Sequence, residues 1–179
     1  GTLVSQSVST TNYYAFSLLP SNAKGPTAPS SSSPNYLYAM DADEWGSPST
    51  DALYVWKYAV NWTTPASSTL TGPTLISGVA AFTLTSSGVP QPGTTNTLDS
   101  LYGRLMNPAN YWNYGTYESI FLSHVCDYSS RRAMRWYEIR ISSGTSSLYQ
   151  QGTYSPDATH RWMGSVIGDK NGGIGMGYS

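Results

Sequence analysis

Charge is scarce in this chain of 179 residues, because Asp, Glu, Lys and Arg together make up only 11% of it. An average soluble domain carries about 25%. The net charge is −1, and the four arginines between positions 131 and 140 would divide between the two faces of a strand. Nucleic-acid binding needs a basic face that displaces counterions. We therefore expect no nucleic-acid partner.

Cysteine is almost absent as well. The single cysteine, Cys126, excludes an internal disulfide and a cysteine-based zinc site. It lies in a strand-like run, 120–126, so we expect a buried and unreactive thiol. No stretch is apolar and long enough to span a bilayer, and we predict neither a membrane span nor a cofactor. The chain opens at Gly1 rather than Met, which suggests a mature or excised product.

The good helix formers are also sparse, and their place is taken by Ser, Thr, Asn, Gly and 15 Tyr. Polar and apolar residues alternate along 52–62, which is typical of a strand with one aromatic face. We predict no helix, and a Pro/Ser loop without regular structure over 20–35. Strands are predicted at 13–19, 36–40, 52–62, 68–71, 104–106, 118–126, 134–141, 148–152, 161–167 and 174–178.

One pattern occurs twice. Residues 53–58 and 134–139 have the same form around Trp56 and Trp136, and each is followed by a polar turn and a shorter strand. The two tryptophans are 80 residues apart. A compact propeller blade takes about 40–50 residues, and a Gly/Pro/Thr insert before Leu98 accounts for the excess. We therefore predict antiparallel four-stranded blades of a β-propeller, with a β-sandwich as the alternative. If the two segments lie in one hydrogen-bonded sheet, the propeller assignment fails.

Several short motifs carry a resemblance. They are Pro34-Asn35-Tyr36, Ala39-Met40-Asp41, Asn61-Trp62-Thr63-Thr64-Pro65, Pro90-Gln91-Pro92-Gly93, Arg104-Leu105-Met106, Arg135-Trp136-Tyr137-Glu138-Ile139-Arg140 and the run 149–165. From about residue 14 to the end, the chain resembles a family of large secreted bacterial β-propeller proteins. Two departures are Gly103, where the family has Asp, and Asn107-Pro108, which interrupts a strand.

The resemblance implies a secreted propeller and no particular chemistry. We predict one continuous propeller segment, with a first blade at about 1–72, a second at about 73–153 and the start of a third at about 154–179. Family members continue with further blades beyond the final Gly-Tyr-Ser. An open arc would expose apolar blade flanks, so we expect a homo-oligomer or a partner chain to complete the propeller.

Candidate catalytic residues are few. His124 could meet Arg104 or Tyr137 from neighbouring strands near a channel mouth, where propeller enzymes that act on sugars hold acid and base groups. The alternative is a histidine satisfied by a backbone carbonyl. Asp41, Asp43 and Glu44 form an acidic cluster but match no complete calcium loop, so we predict no metal site.

Candidate ligand-binding residues lie in two predicted loops. Trp112 and Tyr114 offer aromatic faces that stack on sugar rings. Asp157, His160 and Arg161 precede a strand, although Arg161 could simply pair with Asp157. The sequence thus favours a secreted, non-catalytic propeller module that binds a glycan or a protein. The alternative is a glycan-active hydrolase or lyase with its site at the channel mouth.

Overall fold

A computed structural model of the protein describes residues 5–7, 17–46, 50–106 and 108–179. Most of the strand predicted over 13–19, and Asn107, lie outside these ranges. Within them the chain is all-β, as predicted, apart from single 3₁₀ turns at Asp43–Trp45 and Pro65–Ser67. The strands are β1 (Leu19–Lys24), β2 (Asn35–Asp41), β3 (Ala52–Ala59), β4 (Thr69–Ile76), β5 (Val89–Pro90), β6 (Thr97–Leu98), β7 (Ala109–Asn113), β8 (Glu118–Tyr128), β9 (Arg131–Ser142), β10 (Thr145–Tyr154), β11 (Ser165–Gly168) and β12 (Ile174–Gly177).

Two four-stranded antiparallel meanders, β1–β4 and β7–β10, make up one eight-stranded sheet in the order β10-β9-β8-β7-β1-β2-β3-β4. The meanders join where β1 pairs with β7 in parallel. The sheet is therefore mixed, and not antiparallel throughout as predicted. The repeated segments 53–58 and 134–139 lie in β3 and β9 of this one sheet, so radially separate blades, and with them the propeller, are not confirmed.

Strand β1 is a correction to the predicted irregular loop over 20–35. Leu19 and Pro20 pair with β2, and from Ser21 onwards the strand pairs with β7 instead. Pro20 sits where the partner changes, a position at which a residue without an N–H is tolerated. Ser21 stays connected to β2 through its side chain, because its Oγ accepts from the Tyr36 N–H at 3.1 Å.

Strand β7 corrects a second prediction. Residues 104–106 form no strand, although the Met106 N–H donates to the Ser123 carbonyl at 2.7 Å. The ladder begins instead at Ala109 and includes Trp112, a residue that was predicted to lie in a loop. Tyr111 is buried, because its side chain faces the interior of the curled sheet.

The sheet curls so that both meanders face one hydrophobic core. Its outer strands approach each other, and the Tyr38 hydroxyl of β2 lies 3.3 Å from the Ser146 hydroxyl of β10. The core is filled mainly by aromatic and branched side chains, as expected for facing strands. Its buried members include Tyr36, Tyr38, Met40, Leu53, Val55, Ile76, Phe82, Ile120, Leu122, Cys126, Tyr137, Ile139 and Ile141.

A hairpin of β11 and β12 covers the outer face of the second meander. Val166 is buried there, and its carbonyl accepts from the Asn110 side-chain amide at 2.6 Å. The strand predicted over 161–167 in fact begins at Ser165. None of the helical turns in the described ranges has the length and apolar character needed to cross a membrane.

Candidate ligand-binding site

One end of the curled sheet carries two cavities. The connections β1–β2, β3–β4, β7–β8 and β9–β10 all lie at this end, because β1 and β7 run parallel and every other neighbouring pair in the sheet is antiparallel. The cavities measure about 280 Å³ and 460 Å³, and the Ser-rich segment 30–34 contributes to the walls of both. We call this end the mouth and define it by Tyr36, Tyr58, Trp62, Tyr111 and Glu118.

Three of these residues meet at the base of the mouth. The Tyr111 hydroxyl, in the smaller cavity, donates to Glu118 Oε1, in the larger, at 2.6 Å, and Tyr36 lines both cavities. Burial, then the hydrogen bond to Glu118 and the carboxylate charge, raise the pKa of Tyr111. Burial and the same charge raise the pKa of Tyr36. Both phenols therefore stay protonated at neutral pH.

The rim of the smaller cavity is aromatic. Trp62 is 87% exposed, and partly exposed Tyr58 lies beside it along the same cavity wall. The turn that carries Trp62 is fixed by Asn61, whose Oδ1 accepts from the backbone N–H groups of Thr63 at 3.1 Å and Thr64 at 2.8 Å. The indole of Trp62 is therefore exposed to solvent on a turn whose backbone is held by hydrogen bonds.

Charge in the mouth is confined to one group. Among the described residues that line the two cavities, Glu118 alone has a formally charged side chain at neutral pH. The other polar groups of these linings are hydroxyls, the side-chain amides of Asn35 and Asn113, the indole N–H of Trp62 and backbone groups. Such a lining can form hydrogen bonds with a hydroxyl-rich ligand without the desolvation cost of many ions.

The predicted platform residues Trp112 and Tyr114 lie beside the mouth, in a packed column of rings. Trp112 stacks with Tyr114 at 5.8 Å between ring centroids, and Tyr114 with Tyr117 at 4.8 Å. Gly25 abuts the six-membered ring of Trp112 so closely that a β-carbon there would come within 2.5 Å of it. Much of the ring surface of Trp112 and Tyr114 on which a sugar would stack is therefore already covered by protein.

The predicted catalytic pair, His124 and Tyr137, is brought together by the fold. Tyr137 Oη lies 2.8 Å from His124 Nε2, and His124 Nδ1 lies 2.9 Å from the Val125 carbonyl. Since a carbonyl only accepts, Nδ1 carries the proton and Nε2 accepts from Tyr137. Both ring nitrogens are thus occupied, which leaves none for Arg104, a partly buried residue of the loop before β7.

This pair is sealed from solvent. His124 and Tyr137 are both 0% exposed, and Phe82 packs edge-on against the imidazole at 4.6 Å. Burial is the main reason why the pKa of His124 is lowered to about 4. The histidine is therefore neutral at physiological pH and held by its partners. A substrate has no route to it in this structure.

Phe82 belongs to residues 77–84, which we call the strap, and side chains hold this segment in place. The Gln151 amide donates to the Gly78 carbonyl at 2.8 Å and accepts from the Ala80 N–H at 3.0 Å. Arg135 donates to the Ala80 carbonyl at 3.2 Å. Cys126 is buried nearby as predicted, and burial raises the pKa of its thiol to about 11.

Asp157, His160 and Arg161 lie at the end of the sheet opposite the mouth. Arg161 donates to both carboxylate oxygens of Asp157, at 2.9 and 2.8 Å, and these bonds lower the pKa of Asp157. His160 Nδ1 accepts from the Arg132 N–H at 3.1 Å. These contacts fix the loop onto the start of β9, so the three residues do not join Trp112 and Tyr114 in one site.

The acidic residues at that end support backbone structure. Carboxylate oxygens of Asp43, Glu44 and Asp51 lie within 4.8 Å of one another, whereas Asp41 is buried apart from them. Asp51 accepts from the N–H groups of Asp43 and Phe82, and Glu44 from that of Leu84. Three of their oxygens therefore already serve as acceptors for loop and strap.

The mouth was not predicted from the sequence. None of its five defining residues was among the predicted catalytic or ligand-binding residues. The strand predicted over 52–62 ends at Ala59 instead, so Trp62, which was predicted to lie at the end of that strand, belongs to the turn that follows. What joins these residues is the pairing of β1 with β7, which connects segments far apart in the chain.

Comparison of the chain with protein-family models, with curated proteins and with solved structures gives no match. The resemblance to secreted bacterial propeller proteins therefore stays a prediction.

Proposed function

We propose that this protein is a secreted, non-catalytic module that binds a glycan at the mouth. The proposal depends chiefly on Trp62, an indole that is 87% exposed on the wall of a cavity whose other polar groups are mostly hydroxyls. Sugar rings present apolar faces to aromatic side chains and hydroxyls to polar ones, so the same ligand satisfies both parts of the lining.

The size and chemistry of the mouth support binding over hydrolysis. Volumes of about 280 and 460 Å³ suit one or two sugar residues each. Most glycoside hydrolases use two carboxyl groups on either side of the scissile bond. Glu118 is the one carboxylate that the described residues contribute to the two linings.

Secretion is part of the proposal, because a surface with so few charges and so many hydroxyls and aromatics suits an extracellular sugar-binding protein. The oligomeric ring predicted from the propeller interpretation is not part of it. The described sheet curls onto a core of its own, which removes the reason for a partner to cover blade flanks.

The change Trp62→Ala tests the proposal. We expect the affinity for a neutral oligosaccharide bound by the wild type, sought among cellohexaose, mannohexaose and maltohexaose, to fall about tenfold or more, because a stacking face worth roughly 1.5 kcal/mol is lost. The melting temperature should stay within about 1 °C, since exposed side chains contribute little to stability. Isothermal titration calorimetry and thermal unfolding measure the two quantities.

Tyr128→Ala is the matched control. Tyr128 is also an exposed aromatic residue, 53% accessible, but it lies where β8 turns into β9 at the opposite end of the sheet. This variant should bind like the wild type. Equal losses in both variants, or no loss in Trp62→Ala, would contradict a site at the mouth.

A further inference from the structure

We propose that Glu118 makes the mouth selective for uncharged glycans and excludes carboxylated or sulfated ones. This inference rests on the glycan-binding function proposed above and assigns a specificity to the same site. It starts from the position of Glu118 as the first residue of β8, directly on the lining of the larger cavity.

One oxygen of the Glu118 carboxylate is held by a hydrogen bond, and the other is available to a ligand. Oε1 accepts from the Tyr111 hydroxyl at 2.6 Å, which fixes the orientation of the group. No group among the described residues donates a hydrogen bond to Oε2. An oriented acceptor with vacant lone pairs can take a hydroxyl of a sugar in a charge-assisted hydrogen bond, which is about twice as strong as a neutral one.

The negative charge is not neutralised by an ion pair. The three salt bridges within the described ranges are Arg132–Asp127, Arg140–Glu138 and Arg161–Asp157. Arg140 is close by, since its guanidinium lies 4.1 Å from the ring centre of Tyr117, but its Nε donates to Glu138 at 3.0 Å. The described lining of the larger cavity therefore offers an anionic ligand no cation and one like charge.

Tyr111 adds hydrogen-bond acceptors beside this charge. The Tyr111 hydroxyl donates its hydrogen bond to Glu118, which leaves its oxygen lone pairs as acceptors at the base of the mouth. A carboxylated sugar would bring a second anion into the same partly enclosed space, where like charges repel more strongly than in water. A neutral sugar brings only donors and acceptors, and the lining has partners for both.

The test compares a neutral hexasaccharide bound by the wild type with hexagalacturonate on four proteins: wild type, Glu118→Gln, Glu118→Asp and the control Asp43→Asn. Gln keeps the shape and removes the charge, so neutral affinity should fall about fivefold to tenfold, and hexagalacturonate affinity should rise by a similar factor. Asp keeps the charge on a shorter side chain, so it should still exclude hexagalacturonate. Asp43→Asn removes one charge at the opposite end and should behave like the wild type.

The outcomes separate the two proposals. If the wild type binds hexagalacturonate as tightly as the neutral sugar, or if Glu118→Gln leaves the ratio unchanged, the selectivity is refuted while glycan binding stands. If the wild type binds none of the oligosaccharides, the proposed function itself is refuted. If Glu118→Gln does not fold, continued exclusion of hexagalacturonate by Glu118→Asp supports the inference, and its loss overturns it.

Discussion

Replacing His124 by alanine is expected to lower the free energy of unfolding by about 3 kcal/mol and to leave the affinity for a neutral hexasaccharide unchanged. The substitution empties a site that is 0% exposed and removes the partner of the Tyr137 hydroxyl and of the Val125 carbonyl. Buried large-to-small changes cost about 2–5 kcal/mol, and a buried polar group left unpaired adds to the loss. Urea unfolding and titration calorimetry on the same protein give both numbers.

Sugar binding should not respond, because His124 is remote from the mouth. It lies six residues along β8 from Glu118, which corresponds to about 20 Å on an extended strand. Tyr137→Phe is the graded control: it removes one hydrogen bond with little change in volume, so we expect a loss of about 1–2 kcal/mol. A stable His124→Ala protein that has lost glycan turnover would instead favour the catalytic interpretation of His124.

Acidification from pH 6.5 to pH 4 is expected to destabilise the protein by about 3 kcal/mol through His124 alone. Its pKa is about 4 in the folded chain against 6.5 for an ordinary histidine. Below pH 6.5 the histidine is protonated in the unfolded chain but stays neutral in the folded chain. The stability that neutral His124 contributes is therefore complete above pH 6.5 and is lost as the pH falls to 4.

Neighbouring groups modify this dependence in known directions. The pKa of Asp51 is raised by burial, so its contribution is favourable in acid and offsets part of the loss. The pKa of His160 is lowered, mainly by burial, and adds to the loss. The measurement is the urea midpoint between pH 4 and 7 for wild type, His124→Ala and His160→Ala. The slope should flatten markedly in His124→Ala only, and an unchanged slope there would show that another group controls the acid response.

Much of the fold was predictable because alternation of side chains is a local property. Strands β8 and β9 were both predicted, and each proved a few residues longer, at Glu118–Tyr128 and Arg131–Ser142. The even-spaced residues of β8 from Glu118 to Cys126 share a face, as the period of two requires. The burial of Cys126 was also confirmed.

What escaped prediction depends on contacts between distant parts of the chain. Strand β1 reads Leu-Pro-Ser-Asn-Ala-Lys, which has no alternation of apolar residues, and it is ordered by its two neighbours β2 and β7. The site escaped for the same reason. Nothing local connects Trp62 with Tyr111, whereas the meeting of His124 and Tyr137 was anticipated because β8 and β9 form one hairpin.

The parallel join of β1 to β7 has a consequence for how the molecule assembles. Within each meander, every ladder is closed by a short connection, so both can form early from neighbouring sequence. The join instead closes a loop on the order of 90 residues, which costs about 4 kcal/mol of free energy in lost chain entropy. This cost comes before the four residue pairs of β1 with β7 can stabilise the join. Folding speed should therefore be governed by this one late encounter, and the two cavities exist only after it has taken place.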